Sequence, residues 1–418
     1  MVRKTVAGIL PDQWEGRLIK DVSKVVRGSS PRPAGDPRYF NGDYLPWVTV
    51  ADVTGDQSMY LDSTKTCLTP EGAEKTRVTE PGTLMLTNSG ATLGVPKISR
   101  IKSGANDGIA MLLNLRGIIS EFAYYYLASK TDFFRDVLAP GVGQPNLNTE
   151  LIGDFPIPVP PLPEQKKIAQ ILSTWDQAIT ATGRLLENSQ QRKKGLMQQL
   201  LTGKKRLLNR VGEPFSDGWK TKQISQISSR IQRKTDGEKH PILTISSRSG
   251  FVKQEDKYNR YMAGESVKNY ILLKRGEFAY NKGNSKTYEF GCVFDLDKFD
   301  RGLVPHVYVC FKLNAGLSHR YFKYLFEADY LKPQLGSLVN TGVRNNGLLN
   351  IKPSEFLSTA VPVPCLEEQE SIADVLHSSS AEIEALSRQL ACLREEKKAL
   401  MQQLLTGKRR VQVDAEAA

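Results

Sequence analysis

The sequence predicts an α+β chain: two mixed α/β globules in tandem pseudo-repeat, each followed by a long helix, with the two helices packed as an antiparallel coiled coil. Three observations predict it. The string LMQQLLTGK occurs at 196–204 and again at 400–408, an offset of 204. Around it, KKGLMQQLLTGKKR (193–206) and KKALMQQLLTGKRR (397–410) agree at 12 of 14 positions. Upstream, PVPPLPEQKKIA (158–169) aligns with PVPCLEEQESIA (362–373) at the same offset. A repeat at one fixed offset is the signature of a duplicated structural unit.

The first globule spans 1–162. Short apolar or aromatic runs such as YLPWVTVADVTG (44–55) and PGTLMLTNSG (81–90) alternate with Gly/Asn turns and read as strands. FAYYYLASKTDFFRDVL (122–138) reads as a helix, and GVGQPNLN (141–148) as a loop. The first long helix lies within 163–206. Its apolar residues Ile168, Ile171, Leu172, Trp175, Ile179, Leu185, Leu186, Leu196 and Leu200 step by threes and fours, although Thr182 and Ser189 interrupt the stripe. Pro163 suits a first helical turn, Glu164 suits the positive end of the helix dipole, and Gly203 sits where a left-handed C-terminal cap belongs. From Glu164 to Leu201 such a helix is roughly 57 Å long.

The second globule spans 207–366 and carries parallel features. HPILTISSRSGFV (240–252) and RGEFAYNKGN (275–284) read as strands, HRYFKYLFEADYL (319–331) as a helix and RNNGLLN (344–350) as a loop. Asp217-Gly-Trp219 answers Asp12-Gln-Trp14. The second helix, within 367–408, repeats the pattern through Ile372, Val375, Leu376, Ile383, Leu386, Leu390, Leu393, Leu400 and Leu404, and Gly407 caps it. Residues 409–418 read as a flexible tail. Cys365 and Glu367 replace Pro161 and Pro163, so a less rigid start is expected for the second helix. The globules have diverged while the helices have barely changed. Helices of that kind meet one partner twice, and such globules meet two different things.

Composition narrows the class. The formal net charge is +12. Residues 1–163 carry 17 basic and 17 acidic side chains, whereas 207–367 carry 24 and 16. The basic excess, expected of a partner of polyanions, therefore lies mostly in the second half. No apolar run is long enough for a membrane span, and the first residues lack the apolar core of a secretion signal. Five scattered cysteines without CxxC spacing argue for a reducing compartment, and a cytoplasmic location is the expectation.

Enzyme motifs are missing. There is no GxxxxGK[ST] phosphate loop and no dinucleotide fingerprint, and GVGQPN fails at its third glycine. His240, His306, His319 and His377 are isolated in sequence. Asp295, Asp297 and Asp300 in DLDKFD read as acids at a strand end rather than as metal ligands. The expectation is no catalytic residue, no metal and no cofactor.

QPNLNTELIGDFPIPVPPLPEQKKIAQIL (144–172), with the duplicated LMQQLLTGK, resembles the specificity subunit of type I restriction–modification systems. The resemblance covers essentially the whole chain. It implies two target-recognition domains, each reading one half of a split site in double-stranded DNA. It implies two methylation subunits, which use S-adenosylmethionine for N6-adenine methylation, docked around the helices. It implies nuclease/translocase subunits that join to cut DNA, and a chain that is not itself the catalyst. A helical rod carrying two readers would set half-sites about 10 base pairs apart. A structural adaptor binding protein partners only is the alternative.

Phosphates position a DNA reader and base edges specify the sequence, so acid-free stretches rich in Lys, Arg, Asn, Gln, Ser and Thr are the candidates. In the first half, 81–106 contains Asn88, Ser89, Thr92, Lys97, Arg100 and Lys102, and the 141–148 loop supplies Gln144 and Asn146. In the second half the candidates are Lys282, Asn284, Ser285 and Lys286, then Arg344, Asn345 and Asn346 in the acid-free stretch 331–354. Leu196, Met197, Gln198 and Leu200, with Leu400, Met401, Gln402 and Leu404, are the candidate docking residues for the methylation partner.

Overall fold

The computed structural model describes residues 2–138, 146–257, 265–283, 285–339 and 349–413. The chain divides into two compact units: Met1–Gly183 with Arg388–Ala418, and Arg184–Ser387. The long helices run over Leu162–Leu200 and Leu366–Leu404, 39 residues each, or about 58 Å of rise. Each helix thus gives one half to each unit.

In the first unit a five-stranded sheet has the order Lys24–Arg27, Ile109–Leu113, Leu84–Thr87, Pro96–Ser99 and Tyr60–Leu61. The neighbours are antiparallel except the last pair, which is parallel. LMLT is buried at all four residues, which fits a central strand with a continuous apolar run. A four-stranded sheet follows the order Thr66–Leu68, Phe40–Val48, Ser103–Ala105 and Val78–Thr79. Helix Ser120–Ala128 buries Phe122, Ala123, Tyr125, Tyr126 and Leu127. Leu84, Leu86 and Leu112 of the sheet, Phe122 of that helix, Ile168 and Leu172 of the first long helix, and Leu404 and Leu405 from the end of the second form one core.

The second unit repeats the plan. Its sheet order is Ser228–Ile231, Val309–Leu313, Phe278–Asn281 and Cys292–Asp295, matching the first four strands of the other unit's five-stranded sheet. Helix His319–Glu327 corresponds to Ser120–Ala128. Its core joins Phe278, Tyr280, Phe311 and Phe356 to Leu200 and Leu201 of the first long helix and Ile372 and Leu376 of the second. The Tyr280 and Phe356 rings stack at 4.3 Å.

Both shorter helices stop sooner than their sequences predict. The first ends at Ala128 and continues as separate turns, Thr131–Phe133 and Phe134–Leu138. The second ends at Glu327, just before Asp329 takes a left-handed φ of 54°, a conformation no helix continues through.

The long helices are antiparallel within each unit. In the first, Glu164 pairs with Arg410 and Asp176 with Lys397. In the second, Ser189 and Arg192 reach Glu382 while Arg206 reaches Glu368. The seam keeps a strict heptad: Ile168, Leu172, Trp175, Ile179, Thr182, Leu186, Ser189, Lys193, Leu196 and Leu200 are all buried or half-buried. Their counterparts 204 positions on are too. Thr182 and Ser189 therefore belong to the seam, at 6% and 8% exposure. Leu185 does not, at 56% exposure; it lies one residue, about 100°, off the stripe. The second helix also starts as firmly as the first, because Gln369 N donates to Cys365 O (3.0 Å) as Gln165 N does to Pro161 O (3.1 Å). Among the described residues no helix is long and apolar enough to cross a membrane.

Candidate nucleic-acid interface

Two kinds of site emerge, one repeated and one not. The repeated one lies where each long helix starts. In the first unit the Trp14 indole donates to Glu164 Oε2 (3.0 Å), and Arg410 holds the same carboxylate through Nε (2.9 Å) and Nη2. In the second unit Trp219 donates to Glu368 Oε2 (2.9 Å), and Arg206 holds it through Nε (3.0 Å) and Nη2 (2.7 Å). The glycine caps make this possible. Gly203 and Gly407 take φ of 70° and 69° and turn the chain toward the clasp. A Cβ on Gly407 would come within 2.5 Å of Pro11.

The neighbouring contacts repeat as well. Gln165 accepts from Ile119 N and donates to Pro160 O, and Gln369 accepts from Ser318 N and donates to Pro364 O. Lys397 lies 5.3 Å over the Tyr125 ring, and Lys193 lies 5.2 Å over that of Tyr324. Burial, then the hydrogen-bonded Asp176 carboxylate, pushes the Tyr125 phenol well above its ordinary range, so it stays a donor to Asp176.

This burial corrects part of the docking expectation. Leu200 and Leu404 are 1% and 2% exposed, and Met197 is 8% exposed, all inside the chain's own cores. A second protein cannot reach them without unfolding the unit. Leu196, Leu400 and Met401 are half-buried against the same cores. The faces left open by the repeat are Gln198, Gln199, Thr202 and Lys204, with the exposed Gln402, Gln403 and Lys408 of the second copy.

The second kind of site lies at strand ends. In the first unit Asn88 and Ser89 follow strand Leu84–Thr87, Ser89 bridges to Asn146, and Leu147 N donates to Asn88 O (2.8 Å). The turn Asn106-Asp107-Gly108 lies alongside: Asn88 N donates to Gly108 O (2.9 Å). A Cβ on Gly108 would meet Ser89 Oγ at 3.2 Å and Asn106 Oδ1 at 3.3 Å. Ser89, Asn106 and Asn146 thus come together as a polar surface, while Asn88 is 1% exposed and supports it from below. Among the described residues nothing pairs the Asn88 side-chain oxygen.

Lys97, Arg100 and Lys102 do not join this surface. The Lys97 side chain is 1% exposed and its ammonium is bound by Asp56, so it is an internal ion pair rather than a phosphate contact. Arg100 lies 3.6 Å over Tyr60 and reaches Asp62 (3.4 Å), and Lys102 reaches Glu80 (3.1 Å). The stretch is acid-free in sequence but not in space, because Asp56, Asp62 and Glu80 fold against it. Thr92 is exposed, and its carbonyl accepts from the Thr87 hydroxyl.

Sequence reasoning missed three arginines at the same turn. Arg27 donates to Asp107 O, Arg32 reaches Asp107 Oδ2 (3.1 Å), and Arg77 donates to Arg27 O. They come from three segments that only the fold brings together, so no local window could have found them.

In the second unit Lys282 takes the place of Asn88: it follows strand Phe278–Asn281 and its carbonyl accepts from Leu349 N (3.1 Å). Ser285 closes a turn by accepting from Tyr288 N (3.0 Å), and Lys286 is exposed. Gln144, Asn284, Arg344, Asn345 and Asn346 lie outside the described residues. The DLDKFD acids are matched by cations. Asp295 lies 3.3 Å from Lys323, Asp297 lies 2.8 Å from Lys323, and Asp300 lies 2.9 Å from Arg275. Asp236, Glu238 and His240 also converge, but Arg301 already bonds both carboxylates, at 3.2 and 3.6 Å.

Comparison with known proteins agrees with this architecture. Residues 11–188 match the family described as type I restriction modification DNA specificity domain. The chain is 30% identical over 181 residues to the type I restriction enzyme MjaIX specificity subunit of Methanocaldococcus jannaschii, a match covering 42% of this chain and 41% of that one. It is 25% identical over 434 residues to the MjaVIII specificity subunit of the same organism, covering 96% and 94%. Its fold matches the type I restriction–modification S subunit from M. genitalium with a TM-score of 0.56 at 14% identity, over 94% of this chain and 96% of that one.

Proposed function

We propose that the chain is a specificity subunit of a type I restriction–modification system, and that its two units read the two halves of an interrupted DNA sequence while its repeated helix ends dock two copies of a methylation subunit. The observation that carries this is the contrast between the two kinds of site. The clasps Trp14–Glu164–Arg410 and Trp219–Glu368–Arg206 use the same residues in the same bonds, and identical glutamines, threonines and lysines flank them. Such surfaces suit one partner met twice. The strand-end surfaces differ, with Asn88 in one unit where Lys282 stands in the other, which suits two different half-sites. The subunit recognises; methylation and cleavage belong to the partners it recruits.

The charge distribution adds a corollary. A neutral first globule makes few phosphate contacts of its own, so the isolated chain binds DNA weakly and the methylation subunits supply much of the non-specific grip.

Single-molecule methylome sequencing tests the proposal. Cells expressing this chain with its methylation subunit are compared with cells expressing the methylation subunit alone. A new N6-methyladenine motif in two parts, separated by a fixed gap, is the expected result. A stable complex that writes no new motif sinks the reading and favours a protein-only adaptor.

A further inference from the structure

We propose that Arg27, Arg32 and Arg77 form a phosphate-holding site for the DNA backbone in the first unit, kept ready by Asp107. This rests on the DNA-recognition reading above and names where that unit grips its half-site.

The argument starts from pairing. Residues 1–163 are neutral in sum, and their cations are matched to acids at many sites: Arg17 with Glu15, Lys20 with Asp154, Arg38 with Asp36, Lys97 with Asp56, Lys102 with Glu80. At the Asn106–Asp107–Gly108 turn the ratio breaks. Three guanidiniums gather around one acidic residue: Arg32 pairs with the Asp107 carboxylate, while Arg27 and Arg77 are held by the backbone carbonyls of Asp107 and Arg27. All three arginines are exposed. Like charges drawn together on a surface repel, and a bound polyanion removes that cost. Guanidinium is also the side chain whose flat fork of donors matches phosphate oxygens in pairs.

Asp107 fits the part of a placeholder. Burial alone would raise its carboxyl pKa, but the Ser30 hydroxyl (2.8 Å) and the Arg27 and Arg32 charges hold it below the ordinary carboxylate value. It therefore stays ionised and holds Arg32, with the Arg27 charge close by, at an anion position until a phosphate replaces it, while the backbone carbonyls of Asp107 and Arg27 fix Arg27 and Arg77 beside it. The site is also in the right place. The same turn carries Asn106 and adjoins Ser89, which bridges to Asn146. Backbone grip and base-edge donors share one surface, the division of labour of a sequence reader.

The experiment uses the full chain assembled with its methylation subunit. Binding to a duplex carrying its motif is measured across a range of salt concentrations. Arg32→Ala and Arg77→Ala should each weaken binding severalfold on motif and non-motif DNA alike, and lower the salt slope by about one. The methylated motif itself should not change. Arg32 makes only an exposed ion pair, so its loss leaves folding intact; Arg38→Ala, removed from the turn and paired with Asp36, is the charge control and should have no such effect. Asp107→Asn keeps the Ser30 bond but removes the competing charge, and should tighten binding severalfold. A purely structural cluster could not give that sign. Unchanged affinity and slope in the arginine variants, beside a wild-type complex that binds and methylates, overturn this site while leaving the recognition reading intact. A wild-type complex that holds no DNA overturns both.

Discussion

Trp14 and Glu164 meet across 150 residues of sequence: the indole N–H, in a ring with no exposure, donates to the carboxylate at 3.0 Å. Arg410 completes the contact from the far end of the other helix. The Glu164 side chain is 6% exposed and that of Arg410 is 37% exposed. Removing the arginine leaves a buried carboxylate with one donor, whereas Glu164→Gln keeps an acceptor for the indole. Arg410→Ala should therefore cost about 2–4 kcal/mol, and Glu164→Gln about 1–2 kcal/mol. Adding Glu164→Gln to Arg410→Ala should recover part of the loss, because a neutral amide needs no counter-charge. Urea unfolding of the single and double variants checks the order; a larger loss for Glu164→Gln would contradict it.

Lys97 and Asp56 give a prediction about stability rather than binding. Asp56→Ala strands a buried ammonium, while Lys97→Met fills the same space without a charge. Asp56→Ala should lower the melting temperature more than Lys97→Met, although both remove the same ion pair. The pH dependence has a definite sign. The Lys97 hydrogen bond, despite some burial acting the other way, holds the Asp56 carboxyl below its ordinary value. Its contribution is complete above the unfolded aspartate pKa, near 4, and disappears as pH falls through the lower folded value. A melting series from pH 6 downward should show this loss in the wild type and not in Asp56→Ala.

Proline in either helix should break assembly. Leu390 is buried and Leu186 half-buried on the seam, and proline costs about 3 kcal/mol in a helix interior. Leu186→Pro or Leu390→Pro should abolish co-purification with the methylation subunit. Leu185→Ala, off the seam, should leave it unchanged.

The cysteines should differ in reactivity. Burial pushes the thiols of Cys292 and Cys310 up to about 12, so neither forms appreciable thiolate near neutral pH. Cys392 is exposed. Mass spectrometry after brief iodoacetamide treatment of the native chain should find Cys392 modified first, and Cys292 and Cys310 only after denaturation.

The sequence made some of this legible and hid the rest for physical reasons. The helices and their caps were readable because heptad steps and the Gly203 and Gly407 positions are local signals repeated in register. The seam was misread at Leu185, since leucine looks like core while the buried Thr182 and Ser189 do not; geometry, not hydrophobicity, decides which residue faces inward. Polar strand ends at Asn88, Ser89 and Asn146 were found because turn residues after an apolar run are also local. Lys97 was misplaced because its partner lies 41 residues away. Arg27, Arg32 and Arg77 were missed because they meet only through the fold. LMQQLLTGK was read as a docking surface, yet half its identity is explained inside the chain, where Leu200 and Leu404 fill equivalent cores.

The clasp that joins Glu164 to Arg410 also sets an order of manufacture. The two residues are 246 positions apart. At the usual pace of synthesis Glu164 waits about 10–50 seconds for its partner to emerge. Leu404 and Leu405, which plug the same core, arrive equally late. The middle unit, by contrast, closes Arg206 onto Glu368 over 162 positions. The part of the chain born first is therefore the last to be finished, and until then it exposes the apolar slot beside Ile168 and Leu172 to anything else in reach.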